Sequence, residues 1–366
     1  MRITQNPIKK FTTMLKETYS GKLPAQVIYG YLTYIRDEVK LGAPGPLKLT
    51  KRLKIFGQGF LSWSYFVYEL EKNNPELYLS DLTQKGFTTL NINPELTRNK
   101  KIFHDFMREN GLDELCPDVL GLIDDGALRL NRYNNLEELL EERKKIVFKP
   151  FYGNSGKGVY ICEKNGKEIK INGKKTTINS IKKIMTSFEQ YLIEEYIYQA
   201  DFLSDIFPGS PNTIRMIVMN PKDSQPFFPT AALRVGTRKS GSLDNFLGGR
   251  GGLSVELDVE IGELGLAASL NDSGKIQRHK HHPDTGSRIF GKKIEGWDLI
   301  IENLTEVMKK LPEIKYAGLD LLITGPGEFV VLEMNCNPGV KVLQIHKPLL
   351  KDKRVRQFYS EHGVPL

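Results

Sequence analysis

The order of helical and β patterns predicts an α+β protein of two or three lobes, and three observations carry that expectation. The stretch Ala317 to Gly339, AGLDLLITGPGEFVVLEMNCNPG, reads as two apolar, β-rich runs joined by a Gly-Pro-Gly turn, which predicts a hairpin. The stretch Ile146 to Cys162, IVFKPFYGNSGKGVYIC, reads as two further strands around a glycine-rich turn. Residues 1–95 instead carry aromatic segments with helical period, such as LPAQVIYGYLTYIRDEV. A chain of 366 residues is long enough to bury more than one core.

Composition narrows the class. Apolar content of 40% and charged content of 26% are those of a globular protein. The net charge of +8 suits an anionic ligand. No RNP-like motif, zinc-finger spacing or basic heptad region points to nucleic acid, so none is expected as a partner. Cys116, Cys162 and Cys336 are far apart with no CxxC spacing, which fits a reducing cytoplasm. The first residues, MRITQNPIKKF, lack the apolar core of a signal peptide. The uncharged run Ile55 to Tyr68 falls short of a membrane span. Peripheral contact with a membrane stays open there, although a buried aromatic helix accounts for the run better.

Taken in order, the chain opens with the amphipathic helix just quoted, the turn GAPGP, and an aromatic helix from about Gly59 to Lys72. No chemistry is evident there, so the region is read as an accessory lobe. LTRNKKIFHDFMRENGL (Leu96 to Leu112) predicts a helix with Asn99 near its start and a stop at Gly111. Lys100 matters if that helix start points at a phosphate. NNLEELLEERKK predicts a short helix feeding the strand IVFKP, which Lys149 closes. The following Gly153, Asn154, Ser155, Gly156, Lys157 and Gly158 match neither a Walker A loop nor a Rossmann fingerprint. Their place between strands suggests a hairpin lid whose N–H groups face a triphosphate.

Asn172-Gly173 marks a tight turn before a basic helix, and QYLIEEYI (Gln190 to Ile197) a strand. Its end could offer backbone groups to an adenine edge, with Asp201 taking ribose hydroxyls; an edge strand with solvated acids fits equally well. Arg215 and Arg234 lie inside the apolar strands PNTIRMIVMN and PTAALRVG, where a guanidinium needs an anionic partner. SGSLDNFLGGRGG places Asp244 and Asn245 before Gly248, Gly249 and Arg250, a loop suited to a carboxylate or acyl phosphate, or simply a mobile loop. HKHHPDTG lacks the ligands that would complete a zinc site and reads as a basic loop. WDLIIENLTEVMKKL predicts a helix packed on a sheet, and Lys341, Gln344 and Lys347 stand where a substrate could sit.

The hairpin at Ala317 carries the chemistry. Glu333 and Asn335 are two apart and project to one face of a strand, and Asp320 on the partner strand can face them. Two carboxylates and an amide oxygen interrupting apolar strands form a hard oxygen set, which suits Mg²⁺ shared with substrate phosphates.

The ordered set resembles the ATP-grasp enzymes over about residues 96 to 345, and LDNFLGGRGG, HPDTG and Gln344 look most like the sugar-transfer associated group, relatives of α-glutamate ligases. The resemblance implies an ATP-grasp fold, with two α+β lobes holding ATP between antiparallel sheets, plus the helical amino-terminal region. Its segments would be residues 1–95 (accessory), 96–140 (linker and start of a central lobe), 141–200 (small lobe with lid) and 201–366 (large lobe with metal site and substrate pocket). Lys100, Lys149 and the Gly153–Gly158 loop would hold the phosphates. Glu194, Glu195 and Ile197 would lie against adenine and Asp201 against ribose. Arg215 and Arg250 would act in catalysis. Asp320, Glu333 and Asn335 would bind two Mg²⁺, with Mn²⁺ able to substitute. Arg234, Asp244, Asn245, Gly248, Gly249 and Gln344 would contact substrate. The implied activity is an ADP-forming carboxylate–amine ligase working through an acyl phosphate, joining an amino acid to a sugar, uronic acid or peptide. A non-catalytic ATP-binding module and a phosphotransferase are the alternatives. Asn99 departs from the pattern, standing where an acid often precedes the lysine.

Overall fold

The computed structural model of the protein describes residues 25–87, 90, 94–153, 156–241, 244, 246, 251–271 and 273–366; of the expected site, Asn154, Ser155, Asn245, Gly248, Gly249 and Arg250 lie outside them. The amino-terminal region folds as helices α1 (Ala25–Leu41), α2 (Leu49–Gly57), α3 (Ser62–Val67) and α4 (Asp81–Phe87). Here α1 follows the predicted amphipathic pattern. The aromatic helix expected from Gly59 to Lys72 is confined to α3, for a tertiary reason. The buried Glu38 carboxylate of α1 accepts from the Ser62 amide at 2.8 Å and from the Ser62 hydroxyl at 2.6 Å, which sets the helix start there. Helix α2 was not anticipated from the pattern.

Helix α5 (Lys100–Glu109) starts later than the sequence suggested, because Pro94–Thr97 forms a separate 3₁₀ turn. Asn99 caps α5, its side-chain oxygen accepting from the amides of Lys101 and Ile102. Those amides are therefore taken, and the start of α5 is not a bare helix end.

Seven antiparallel strands form the first sheet: β1 (Val119–Asp124), β2 (Ala127–Leu130), β3 (Lys145–Pro150), β4 (Tyr160–Asn165), β5 (Glu168–Ile171), β6 (Lys174–Thr176) and β7 (Gln190–Glu195), in the order β2-β1-β7-β3-β4-β5-β6. Strands β1 and β2 lie in the stretch expected to hold the linker and the start of a central lobe, and they join the sheet of the lid-bearing strands. Asn172 and Gly173 take φ of 48° and 76° between β5 and β6, the primed turn that an Asn-Gly pair favours. Helices α6 (Leu136–Arg143) and α7 (Ile178–Met185) cover one face with Leu136, Leu139, Leu140, Ile181 and Met185.

After α8 (Asp201–Ile206) comes a second antiparallel sheet of β8 (Thr213–Met219), β9 (Phe227–Val235), β10 (Leu253–Leu257), β11 (Leu264–Leu270), β12 (Ile276–His279), β13 (Tyr316–Gly325) and β14 (Glu328–Asn335), in the order β12-β11-β10-β9-β8-β13-β14. Alternation along β8 divides its side chains. Ile214, Met216 and Val218 enter the main core with Trp297, Ile300 and Leu304 of α9 (Trp297–Lys310). Ile217 and Met219 pack oppositely on α10 (Lys341–Gln344) and α11 (Lys353–Glu361). The loop histidines are structural where they are buried: His282 stacks on Phe207 and bonds the Gly236 carbonyl at 2.8 Å.

Gln344 corrects the sequence reading. It is 1% exposed and does not face substrate. Its carbonyl accepts from the Leu79 amide at 2.8 Å, and its NH₂ donates to the Leu79 carbonyl at 3.0 Å and the Tyr68 hydroxyl at 3.1 Å. The side chain thus ties α10 to the amino-terminal region. Gln344→Leu should destabilise the fold by about 2 kcal/mol, since it leaves buried Leu79 groups unpaired; urea unfolding measures this, and an unchanged midpoint would refute the tie.

Candidate active site

The site is built on one face of the second sheet, where polar residues replace the apolar alternation. Arg215 on β8 lies opposite Asp320 on β13, which lies opposite Glu333 on β14. Thr213 on β8 lies opposite Arg234 on β9. Charges in strand interiors need partners, and these residues supply them. Arg215 grips Asp320 with Nε and with a second nitrogen at 2.9 Å. Arg234 reaches Asp320 at 3.1 Å and Asp244 at 3.3 Å, and Thr213 donates to Asp244. Gly318 allows this arrangement: a Cβ there would come within 2.4 Å of Pro338 and 3.3 Å of Arg215.

Glu333 reaches this face through a bulge. Val331 pairs with Leu321 and Glu333 with Asp320, so the register shifts at Leu332. Val331 and Met334 both enter the core, while Leu332 and Glu333 line the cleft. Strict alternation would have sent Glu333 to the side of Val331.

Two arginines balance Asp244 and Asp320, which leaves Glu333 as the extra carboxylate. Burial pushes the Glu333 carboxyl up and the Asp320 charge adds to this, against a downward pull from Lys100. Burial also pushes Asp320 up, but Arg215 and Arg234 outweigh it and hold that carboxyl below the usual range. Glu333 forms no salt bridge among the described residues. The half-buried Asn335 side chain also lines this face, and its buried NH₂ has no partner among those residues. Among the described residues no three His, Cys, Asp or Glu side chains are placed to hold a metal ion by themselves; the oxygen set is two carboxylates and one amide. An under-neutralised carboxylate beside a second carboxylate fits a hard divalent cation.

The cleft between the sheets brings the expected residues together. Lys100, Lys149, Gly153, Gly156, Lys157, Glu195, Ile197, Arg234, Asp244, Asp320 and Glu333 line one volume. Its inner walls are apolar, with Val147 and Ile161 of the first sheet and Leu322 and Leu332 of the second. That slot suits a flat aromatic ring. The chain leaves the ladder after Glu195, and Tyr196 and Ile197 border the slot outside the sheet. Gly156 and Gly158, at φ of 69° and 74°, shape the loop above. Lys100 donates to the Gly153 carbonyl at 3.2 Å and so holds the loop base.

Two expected residues are placed differently. Asp201 is exposed at the start of α8 and does not line the cleft. Glu194 is 1% exposed behind the cleft, as the counter-ion of Lys149, and its other oxygen meets His104 at 3.1 Å. Burial pushes Glu194 up, but Lys149 and His104 bring it down to about 2. The contact joins β7 and β3 to the helix bearing Lys100. Sequence reading missed His104; its place four residues after Lys100, on the same helical face, was the available signal.

The profile of the family described as sugar-transfer associated ATP-grasp matches residues 89–357. No curated protein matches. Among solved structures, D-alanine–D-alanine ligase from Bacillus anthracis is similar at 16% identity and a TM-score of 0.37, over 84% of this chain and 78% of that one. N5-carboxyaminoimidazole ribonucleotide synthetase from Thermotoga maritima is similar at 15% and 0.32, over 66% of this chain and 42% of that one. L-amino acid ligase from Bacillus licheniformis is similar at 14% and 0.35, over 72% and 43%. This chain therefore spans less than half the length of the latter two, and likeness at this distance concerns the fold alone.

Glu194→Gln should cost about 3 kcal/mol at pH 7, because it strips a buried ammonium of its counter-ion. A carboxyl moved from 4.5 to about 2 contributes stability that is present above pH 4.5 and lost as pH falls toward 2. The variant's stability should therefore fall less steeply than wild type over that window in urea titrations; equal slopes would exclude Glu194 as the source.

Proposed function

Since the chain belongs to the sugar-transfer associated ATP-grasp family, we propose that it is an ATP-dependent carboxylate–amine ligase, with an amino acid and a sugar, uronic acid or peptide as the substrate classes, in surface polysaccharide synthesis or related metabolism. The observation that carries the reading is the single cleft in which Lys100, Lys149 and the glycine loop face Asp320 and Glu333 across an apolar slot. Lys149, fixed by Glu194, and Lys100 take the nucleotide phosphates. The backbone at Glu195–Ile197 takes the adenine edge, and Val147, Ile161, Leu322 and Leu332 sandwich the ring.

A carboxylate oxygen of the acid substrate attacks the γ-phosphorus of ATP, and ADP departs with the bonding electron pair. The acyl phosphate is next attacked at carbon by the amine, phosphate leaves, and the amine proton passes to solvent or phosphate. Arg215, released from Asp320, is the side chain that meets the growing charge on the transferred phosphoryl group. Asp320, Glu333 and Asn335 would hold Mg²⁺, which when bound neutralises the phosphate oxygens. Arg234 stays fixed by Asp244 and Thr213 and orients the acid face. This chemistry needs no side-chain nucleophile.

ADP release, screened over amino acids with uronic and amino sugars and followed by mass spectrometry of the product, tests the reading. An acid-dependent hydroxamate with hydroxylamine is expected, and a phosphorylated alcohol in its place would favour a kinase. Arg215→Ala should lower kcat by about 100-fold or more, close to 3 kcal/mol, with ATP affinity little changed; equal losses in both would remove Arg215 from the phosphoryl step. Glu333→Gln should raise the Mg²⁺ concentration for half-activity by about tenfold, and an unshifted titration would exclude Glu333 as a ligand.

A further inference from the structure

A second cavity of about 530 Å³ adjoins the cleft at the acid face, sharing Arg234, Asp244, Asp320 and Glu333 with it, within the range of small-molecule sites. Arg215, Glu333 and Asn335 line it. The amino-terminal region also lines it, with Asp81, Gln84 and Lys85 of α4, and Asp81 meets Lys341 of α10. The acids and the lysines there differ in what they can still bind. Asp81 has both oxygens engaged, one by Lys341 at 2.6 Å and one by the Leu61 amide at 2.9 Å. Asp37 likewise takes Lys85 at 2.6 Å and Arg36 at 2.8 Å on separate oxygens. Each lysine has one such carboxylate partner among the described residues, and an ammonium has three N–H donors. The carboxylates therefore fix the lysines, and the lysines present the remaining donors to the cavity. Both are largely buried, at 21% and 18% side-chain exposure, where charge-assisted bonds are strong. Gln84 holds this wall against the end of β14, donating to Asn337 at 2.5 Å and to the Pro338 carbonyl at 3.2 Å.

We propose that Lys85 and Lys341 form a subsite for a second anionic group, carboxylate or phosphate, on the acid substrate, whose reacting carboxylate lies at Arg215. The acid is thus at least a dianion, and the amino-terminal helices select it. This deepens the ligase reading and rests on it for which carboxylate reacts.

The test is calorimetric titration of the full chain, loaded with ADP and Mg²⁺, with malonate, succinate, glutarate, adipate and 3-phosphoglycerate, against the matched monoanions acetate, propionate, butyrate, pentanoate and glycerate. At least one dianion is expected to bind about tenfold tighter than its match, and which one distinguishes a distal carboxylate from a phosphate. Lys85→Met should abolish that preference without changing monoanion or nucleotide affinity, and Lys85→Arg should retain it. The double variant Asp81→Asn/Lys341→Met, which removes both charges of a buried pair, should act like Lys85→Met. Dianions no tighter than monoanions, or an unchanged preference in Lys85→Met, would overturn the subsite. ADP release with the preferred dianion and an amine panel is a separate readout. Binding without release would sink the ligase reading and leave the anion subsite standing.

Discussion

The structure depends on a buried carboxylate held by two guanidinium groups. Asp320 sits in the middle of an antiparallel sheet, and Arg215 and Arg234 approach it from the two neighbouring strands on its β8 side. None of the three tolerates that position alone, because an unpaired charge at such depth costs several kcal/mol. Together with Asp244 they form a neutral chain across the sheet. The opposite face of the same strands is the apolar core on α9. One alternation therefore builds both the hydrophobic foundation and the reactive surface, and a register slip on either strand would exchange them.

Glu333 is the exception to that neutrality, and it gives the site its direction. The bulge at Leu332 turns a carboxylate out of the core and leaves it without an arginine of its own. Burial, with the Asp320 charge beside it, pushes its carboxyl above the usual range despite the nearby cations. Across the cleft, the start of α5 and the glycine loop between β3 and β4 present the complementary excess, with Lys100 and Lys157. An anion carrying its own cation satisfies both sides at once. Lys149 contributes from a fixed position, because Glu194 and His104 hold it to the helix that also carries Lys100.

The amino-terminal helices are part of this architecture. Leu79, Asp81 and Gln84 each bond across more than 250 residues of sequence to the carboxyl-terminal segment. These bonds bring α4 beside the end of β14 and close a cavity that the two sheets alone would leave open.

The local chemistry of the sequence was enough to mark the hairpin at Ala317, the facing of Asp320 and Glu333, the lysine closing β3, the Asn-Gly turn and the arginines within apolar strands. Each of these is a contrast between a residue and its near neighbours, and periodicity reports such contrasts directly. The start of α3 at Ser62, the burial of Glu194 behind Lys149, the structural duty of Gln344, the bulge that aims Glu333 and the pairing of Asp81 with Lys341 were decided only by the tertiary structure. In every one of those cases the deciding partner is remote in sequence or sits on another strand. A polar side chain reads the same in a sequence whether it meets solvent, substrate or a buried amide, and only packing determines which of these it meets.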